Sequence, residues 1–178
     1  MGIRDGDIAT LIATDSLRRL VTTYSRAVDR RDFDLLRSLY HDDADDAHGD
    51  MFDGGADAYV AFVEKALAAY EMTVHYVMNM NFVIDGDVAQ GEIHKINWHR
   101  TTTGQEIVTG SRSLDHYARR MGEWRFSRRA ITLDWARKGP FDPEAHADFA
   151  ARSPSGRAGP DDLSYRLLDQ FKRFSDNQ

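Results

Sequence analysis

The chain has 178 residues, which suits one domain, since single cores commonly serve roughly 100–200 residues. A 42% hydrophobic share with 29% charged residues marks a globular protein and excludes intrinsic disorder. With 29 acidic and 23 basic side chains the net charge is −6, and the lysines and arginines are scattered, so nucleic acid is not an expected partner. No run approaches the ~20 apolar residues of a membrane span, and the first residues lack an apolar signal core, so no membrane partner and a cytoplasmic location are expected. The absence of cysteine excludes disulfides, thiolate catalysis and sulfur-rich metal sites.

From Asp7 to about Arg30 the apolar residues Leu17, Leu20, Val21, Tyr24, Ala27 and Val28 recur every three or four positions, predicting a helix with one buried face. Asp32 is a good N-cap for a short second helix carrying Leu35, Leu36, Leu39 and Tyr40. An acidic loop is expected over His41 to Gly55, and Asp57 is placed to cap a third helix with Tyr59, Val60, Phe62, Val63, Ala66, Leu67 and Tyr70. Four segments rich in β-branched and aromatic residues follow, at about 74–84, 88–101, 105–119 and 124–136. Their links, Asp85-Gly86-Asp87, Thr103-Gly104-Gln105 and Met121-Gly122-Glu123, are hairpin turns centred on glycine, so the strands form an antiparallel meander. The expected fold class is α+β, with three helices packed on a curved sheet and a cavity between them. All four prolines come after the last strand, and residues 151–160 read as a loop. Beyond it, Asp161 or Asp162 caps an amphipathic helix with Leu163, Leu167, Leu168, Phe171 and Phe174. A domain over 1–139 and a C-terminal extension over 140–178 follow from that division.

Three polar features stand out. Asp29 lies in the last turn of the first helix, where the negative end of the helix dipole disfavours a carboxylate by ~0.3–1 kcal/mol. On position alone it reads as a solvated helix end, and Tyr24, five residues earlier, as core. His75 opens the first long strand, where strict alternation gives an apolar face of Val74, Tyr76, Met78, Met80, Phe82 and Ile84. The mixed face is His75, Val77, Asn79, Asn81 and Val83, and it borders either solvent or a polar cavity. Arg129 alternates with Ile131, Leu133 and Trp135, so its charge requires an acidic partner or a ligand. The run His41-Asp42-Asp43-Ala44-Asp45-Asp46-Ala47-His48 lacks the glycine and terminal glutamate of a calcium loop and reads as an exposed acidic loop; no metal is expected. His94 and His99 point to opposite faces of a strand, and Gly54-Gly55 is a turn rather than a phosphate loop.

These residues carry a family resemblance over about residues 8–136. The stretch from Tyr24 through Asp29 to Phe33, followed by Leu39 to Ala44, resembles the opening helices of SnoaL-like proteins in the nuclear-transport-factor-2-like, cystatin-like superfamily. Val74 to Met80 is similar to the histidine-bearing strand of hexachlorocyclohexane dehydrochlorinase and bile-acid dehydratase, and Tyr117 to Arg129 resembles their final hairpin. The resemblance implies a cystatin-like cone and a catalytic quartet of Asp29, His75, Tyr24 and Arg129. His75 is then the base, Asp29 its orienter, Tyr24 a proton donor or carbonyl polariser, and Arg129 a holder of enolate or carboxylate charge. The ordinary histidine pKa of ~6.5 suits an imidazole to take a proton from carbon. The implied activity is a cofactor-free β-elimination on a small hydrophobic molecule; a ketosteroid-isomerase-like isomerase, a polyketide cyclase, or a non-catalytic module such as a dioxygenase small subunit are the alternatives. A homo-oligomer, trimer or dimer, is also implied.

Overall fold

The computed structural model describes residues 5–169. Helix α1 spans Asp5–Arg30 and α2 Phe33–Ser38, with the Asp32 side chain accepting the Leu35 N–H as its cap. Strand β1 (Tyr40–Ala47), a 3-10 turn at Gly49–Met51 and strand β2 (Asp53–Gly55) lead into α3 (Ala56–Leu67). Four long strands follow: β3 (Tyr70–Asp85), β4 (Val88–Thr101), β5 (Gln105–Arg120) and β6 (Glu123–Pro140). Two short helices complete the described chain, α4 (Pro143–Ala150) and α5 (Leu163–Leu167). Among the described residues no helix is long and apolar enough to cross a membrane.

The architecture is α+β, with the helices on one face of a curved, unclosed sheet in the order β2-β1-β6-β5-β4-β3. The four long strands form the expected meander, and β1 adds to it by pairing with β6 in parallel. The segment expected to be an exposed acidic loop is therefore mostly strand. Its outward Asp42, Asp43 and Asp45 are solvated while His41, Ala44 and Asp46 are buried, so acidity on the wet face hid a strand. Gly54 and Gly55 pair in β2 rather than forming a free turn, and Gly55 precedes α3 as its cap residue; Asp57 sits inside the first turn and bonds Arg37 instead. The Pro-rich segment also yields α4, where Asp142 caps the helix and Pro143 tolerates the first turn because no N–H is needed there.

One core joins the layers. From α1 come Leu17, Leu20, Val21, Tyr24, Ala27 and Val28, and across from them lie Leu36, Tyr40, Tyr59, Ile93, Tyr117 and Phe126. The end of α1 is a Schellman turn: Asp32 N–H reaches the Ala27 carbonyl at 2.9 Å and Arg31 N–H the Val28 carbonyl at 3.3 Å. Arg31 takes the left-handed position at φ 57°, where glycine is usual, so a nearby contact must hold it there. The C-terminal segment docks on α1 through Arg30, which faces Asp162 at 3.6 Å and donates to the Arg157 carbonyl at 3.1 Å. The expected Phe171 and Phe174 lie outside the described residues.

Several bulges re-phase the sheet, and those in β3 and near the end of β6 decide which side chains face inward. In β3 the register shifts between Val77 and Met80, so Thr73, His75 and Val77 share the inner face with Met80, Phe82 and Ile84, whereas Tyr76 and Met78 are exposed. Strict alternation along this strand is thus corrected. In β6 a shift between Leu133 and Trp135 turns Trp135 away from Arg129 onto the outer face, over Gly110; a Cβ on Gly110 would lie 2.1 Å from Trp135 Nε1, so only glycine fits.

Candidate active site

The inner face carries a line of polar side chains, and it begins at the end of α1. Helix α1 ends against β3, bringing the Asp29 carboxylate to the start of that strand. His75 Nδ1 lies 2.6 Å from Asp29 Oδ1, the backbone N–H of His75 donates to Oδ2 at 2.9 Å, and the Thr73 hydroxyl donates to Oδ1 at 2.9 Å. A carboxylate only accepts, so Nδ1 carries the proton and a neutral ring keeps its lone pair on Nε2. These bonds compensate Asp29 for its place at the negative end of the helix dipole. Arg31 secures the arrangement: its guanidinium donates to Thr73 Oγ1 and to the Val28 carbonyl, each at 2.9 Å, which also accounts for its left-handed backbone. The side chains of His75 and Asp29 remain 15% and 10% exposed, so the pair is sheltered yet reachable.

His99, cross-strand neighbour of Thr73, meets the His75 ring edge-on at 5.4 Å between centroids. Burial first, then the proximity of His75, push its pKa down to about 4, so it stays neutral beside the dyad. Asn97, opposite His75, donates to Thr109 Oγ1 at 3.1 Å and to Ser111 Oγ at 2.9 Å, while its Oδ1 is buried without a partner among the described residues.

The other end of the line is built around Arg129. It is fully buried, with Nε 3.1 Å from Asp115 Oδ1, and Nη2 donates to Ser113 Oγ at 3.2 Å. Its guanidinium carbon lies 3.8 Å from the Tyr24 ring centroid and 4.5 Å from that of Phe126, a cation–π seat. Burial opposes the charge, and the surrounding anionic field, led by Asp115, outweighs it. Nη1 is buried and unpartnered among the described residues. Tyr24 shares a hydrogen bond with Tyr59, and burial pushes the Tyr24 phenol up to about 12, keeping it protonated. Behind it, Tyr40 donates to buried Asp46 at 2.6 Å and His48 stacks on Tyr59.

Asp29 and His75 are therefore in direct contact, and Tyr24 and Arg129 are in direct contact; Asn97 and Lys95 of β4 lie on the same face between these pairs. Sequence reasoning missed Asp115, Asp46, Lys95, Asn97 and His99. A lysine alternating with Ile93 on an otherwise buried strand face was a legible signal for Lys95. An open cleft of about 530 Å³ between α1, α2 and the β5–β6 turn, lined by Arg19, Leu35 and Trp124 among others, contains none of these groups.

The profile of the SnoaL-like domain matches residues 9–130, more than half the chain. The chain belongs to this family. Among solved structures, this SnoaL-like chain is similar to a putative scytalone dehydratase from Novosphingobium aromaticivorans, at 21% identity and a TM-score of 0.68, covering 72% of this chain and 88% of that one. A type 2 hexachlorocyclohexane dehydrochlorinase matches at 22% identity and a TM-score of 0.71, covering 77% and 97%. An NTF2-like protein with a cystatin-like fold, from N. aromaticivorans, matches at 21% and 0.63, covering 85% and 100%. At these identities the likeness is one of fold. No curated protein sequence matches the SnoaL-like chain.

Proposed function

We propose that this SnoaL-like protein is a cofactor-free lyase that performs β-elimination on a small hydrophobic molecule bearing an acidic C–H. The observation that carries the reading is the 2.6 Å contact of Asp29 Oδ1 with His75 Nδ1, reinforced by the His75 backbone N–H on the other carboxylate oxygen. In this mechanism His75 Nε2 takes the proton from carbon, and Asp29 fixes the tautomer and stabilises the imidazolium. The protonated Tyr24 phenol serves as acid toward the departing hydroxide or halide, and the spare N–H groups of Arg129 hold enolate or carboxylate charge. All steps use side chains alone. An isomerase would use the same proton abstraction and return the proton at another carbon; a binding module would use none of it.

The test is exchange of α-protons for deuterium, followed by NMR, on a panel of β-hydroxy ketones and cyclic ketones, with ligand binding measured separately. Wild-type protein exchanges, and His75→Ala retains binding but loses exchange by about 10²–10⁴-fold. Unchanged exchange in His75→Ala removes the histidine from the mechanism, and binding without exchange in the wild type favours the module. The exposed Tyr76, Met78, Ile96 and Leu114 on the outer sheet face support a homo-oligomer, trimer or dimer; sedimentation as a monomer at micromolar concentration overturns that part.

A further inference from the structure

Lys95 has no part in the mechanism above, yet its setting is unusual for a lysine. It lies on the inner face of β4, opposite Val77 and two residues from the Asn97 that pairs with His75. Only 5% of it is exposed, whereas Lys65 and Lys138 are on the surface. Buried ammonium groups are normally paired with a carboxylate. Among the described residues Lys95 has no such ion pair: Asp115 is taken by Arg129, and Asp46 by Tyr40 and His48. Its Nζ instead lies 5.2 Å from the centroid of the Tyr24 ring, the same ring that seats Arg129.

Four elements place charged or titratable groups around it: Tyr24 on α1, Asp46 on β1, Asp115 on β5 and Arg129 on β6. Burial first, then repulsion from Arg129, push the amine down to about 7, against the partial opposition of Asp115 and Asp46. Both effects favour the free amine over the ammonium. Desolvation beside a second cation is a recognised way to make a lysine nucleophilic.

We propose that Lys95 is a covalent site, whose Nζ forms a Schiff base with an aldehyde or ketone held on the inner face. The nitrogen lone pair adds to the carbonyl carbon while the C=O π pair passes to oxygen, giving a carbinolamine after proton transfer from nitrogen to oxygen. Loss of the remaining N–H proton together with the hydroxyl releases water and leaves C=N, which takes up one proton to become an iminium. No oxidant or reductant is needed. The iminium withdraws electrons from the adjacent carbon and so acidifies its C–H for His75; this last link rests on the dyad reading, whereas imine formation does not. The substrate class then narrows to small carbonyl compounds.

The experiment treats the full-length protein at pH 7 with formaldehyde or butanal in the presence of sodium cyanoborohydride, which traps an iminium as a secondary amine, and maps the adducts by peptide mass spectrometry. The expected result is a gain of one alkyl group on Lys95 that outpaces Lys65 and Lys138, with a labelling rate that climbs with pH and levels off near the value of about 7 set by its surroundings. His75→Ala keeps this labelling while losing α-proton exchange, which separates the two readings. Lys95 left unmodified by both aldehydes while Lys65 and Lys138 react, or labelling that keeps climbing well into alkaline pH, overturns the proposal.

Discussion

At the β3 end of the inner face Asp29 meets His75 in a hydrogen-bonded pair that stays partly solvated, whereas at the β6 end Asp115 meets Arg129 in a pair with no exposure at all, walled by Tyr24 and Phe126. The two pairs teach different things about buried charge. The first keeps an imidazole partly exposed, with one ring nitrogen held by the carboxylate, the arrangement on which the proposed proton transfer rests. The second is a permanent charge locked in place and costly to leave uncompensated. Changes at the first should therefore be read in rate, and changes at the second in stability.

The largest effect is expected at the first pair. Asp29→Asn keeps the shape but no longer stabilises the imidazolium, and α-proton exchange should fall by about 10²–10⁴-fold. Stability should fall by no more than about 1–2 kcal/mol in urea unfolding, since one hydrogen-bond acceptor of Asp29 is retained. An unchanged rate would erase the contrast. At the second pair, Asp115→Ala strands the Arg129 guanidinium without its carboxylate and should cost about 3–5 kcal/mol, measured the same way. If that variant is as stable as the parent, Arg129 is compensated by something other than Asp115.

A smaller, pH-dependent effect belongs to His99, which lies against the first pair. Its folded pKa of about 4 is below the ordinary 6.5, so between those values the unfolded chain binds a proton that the folded chain refuses. Stability is then highest above pH 6.5 and declines as pH falls toward 4, by on the order of 3 kcal/mol from this residue. His99→Phe should flatten that interval in thermal melts, and an identical slope in the variant would show that the loss arises elsewhere.

Much of this arrangement was legible in the sequence because it rests on simple periods. The three-and-four spacing of Leu17, Leu20, Val21 and Tyr24 specifies the buried face of α1, and glycine at 86, 104 and 122 specifies the hairpins of the meander. The Asp29–His75 and Tyr24–Arg129 contacts join residues that the sequence had singled out, and Arg129 was recognised as a charge in need of a partner. The partner itself was hidden by a bulge. Counting back from the Arg120–Glu123 pair would set Asp115 opposite Arg128, and the register shift between His116 and Tyr117 moves it to Arg129. Strand β1 escaped notice because its three outward aspartates make it look like a solvated loop, and Asp46 went unnoticed with it. Lys95 was passed over because a lone lysine ordinarily ends in solvent. The partner of Arg129 and the strand at β1 do not follow from periodicity, since each depends on what lies across the sheet, whereas the alternation of Lys95 with Ile93 did mark it as inward-facing.

The bulge in β3 has a further consequence for how the strand can be altered. Odd-numbered residues, Thr73, His75 and Val77, face inward before it, and even-numbered ones, Met80, Phe82 and Ile84, face inward after it. The extra residue at Met78–Asn79 acts like a vernier between two scales, letting the part that carries the imidazole and the part that fills the core be adjusted separately. Removing one residue there would force a choice, turning out to water either the histidine or the three apolar side chains, without changing the identity of a single one of them.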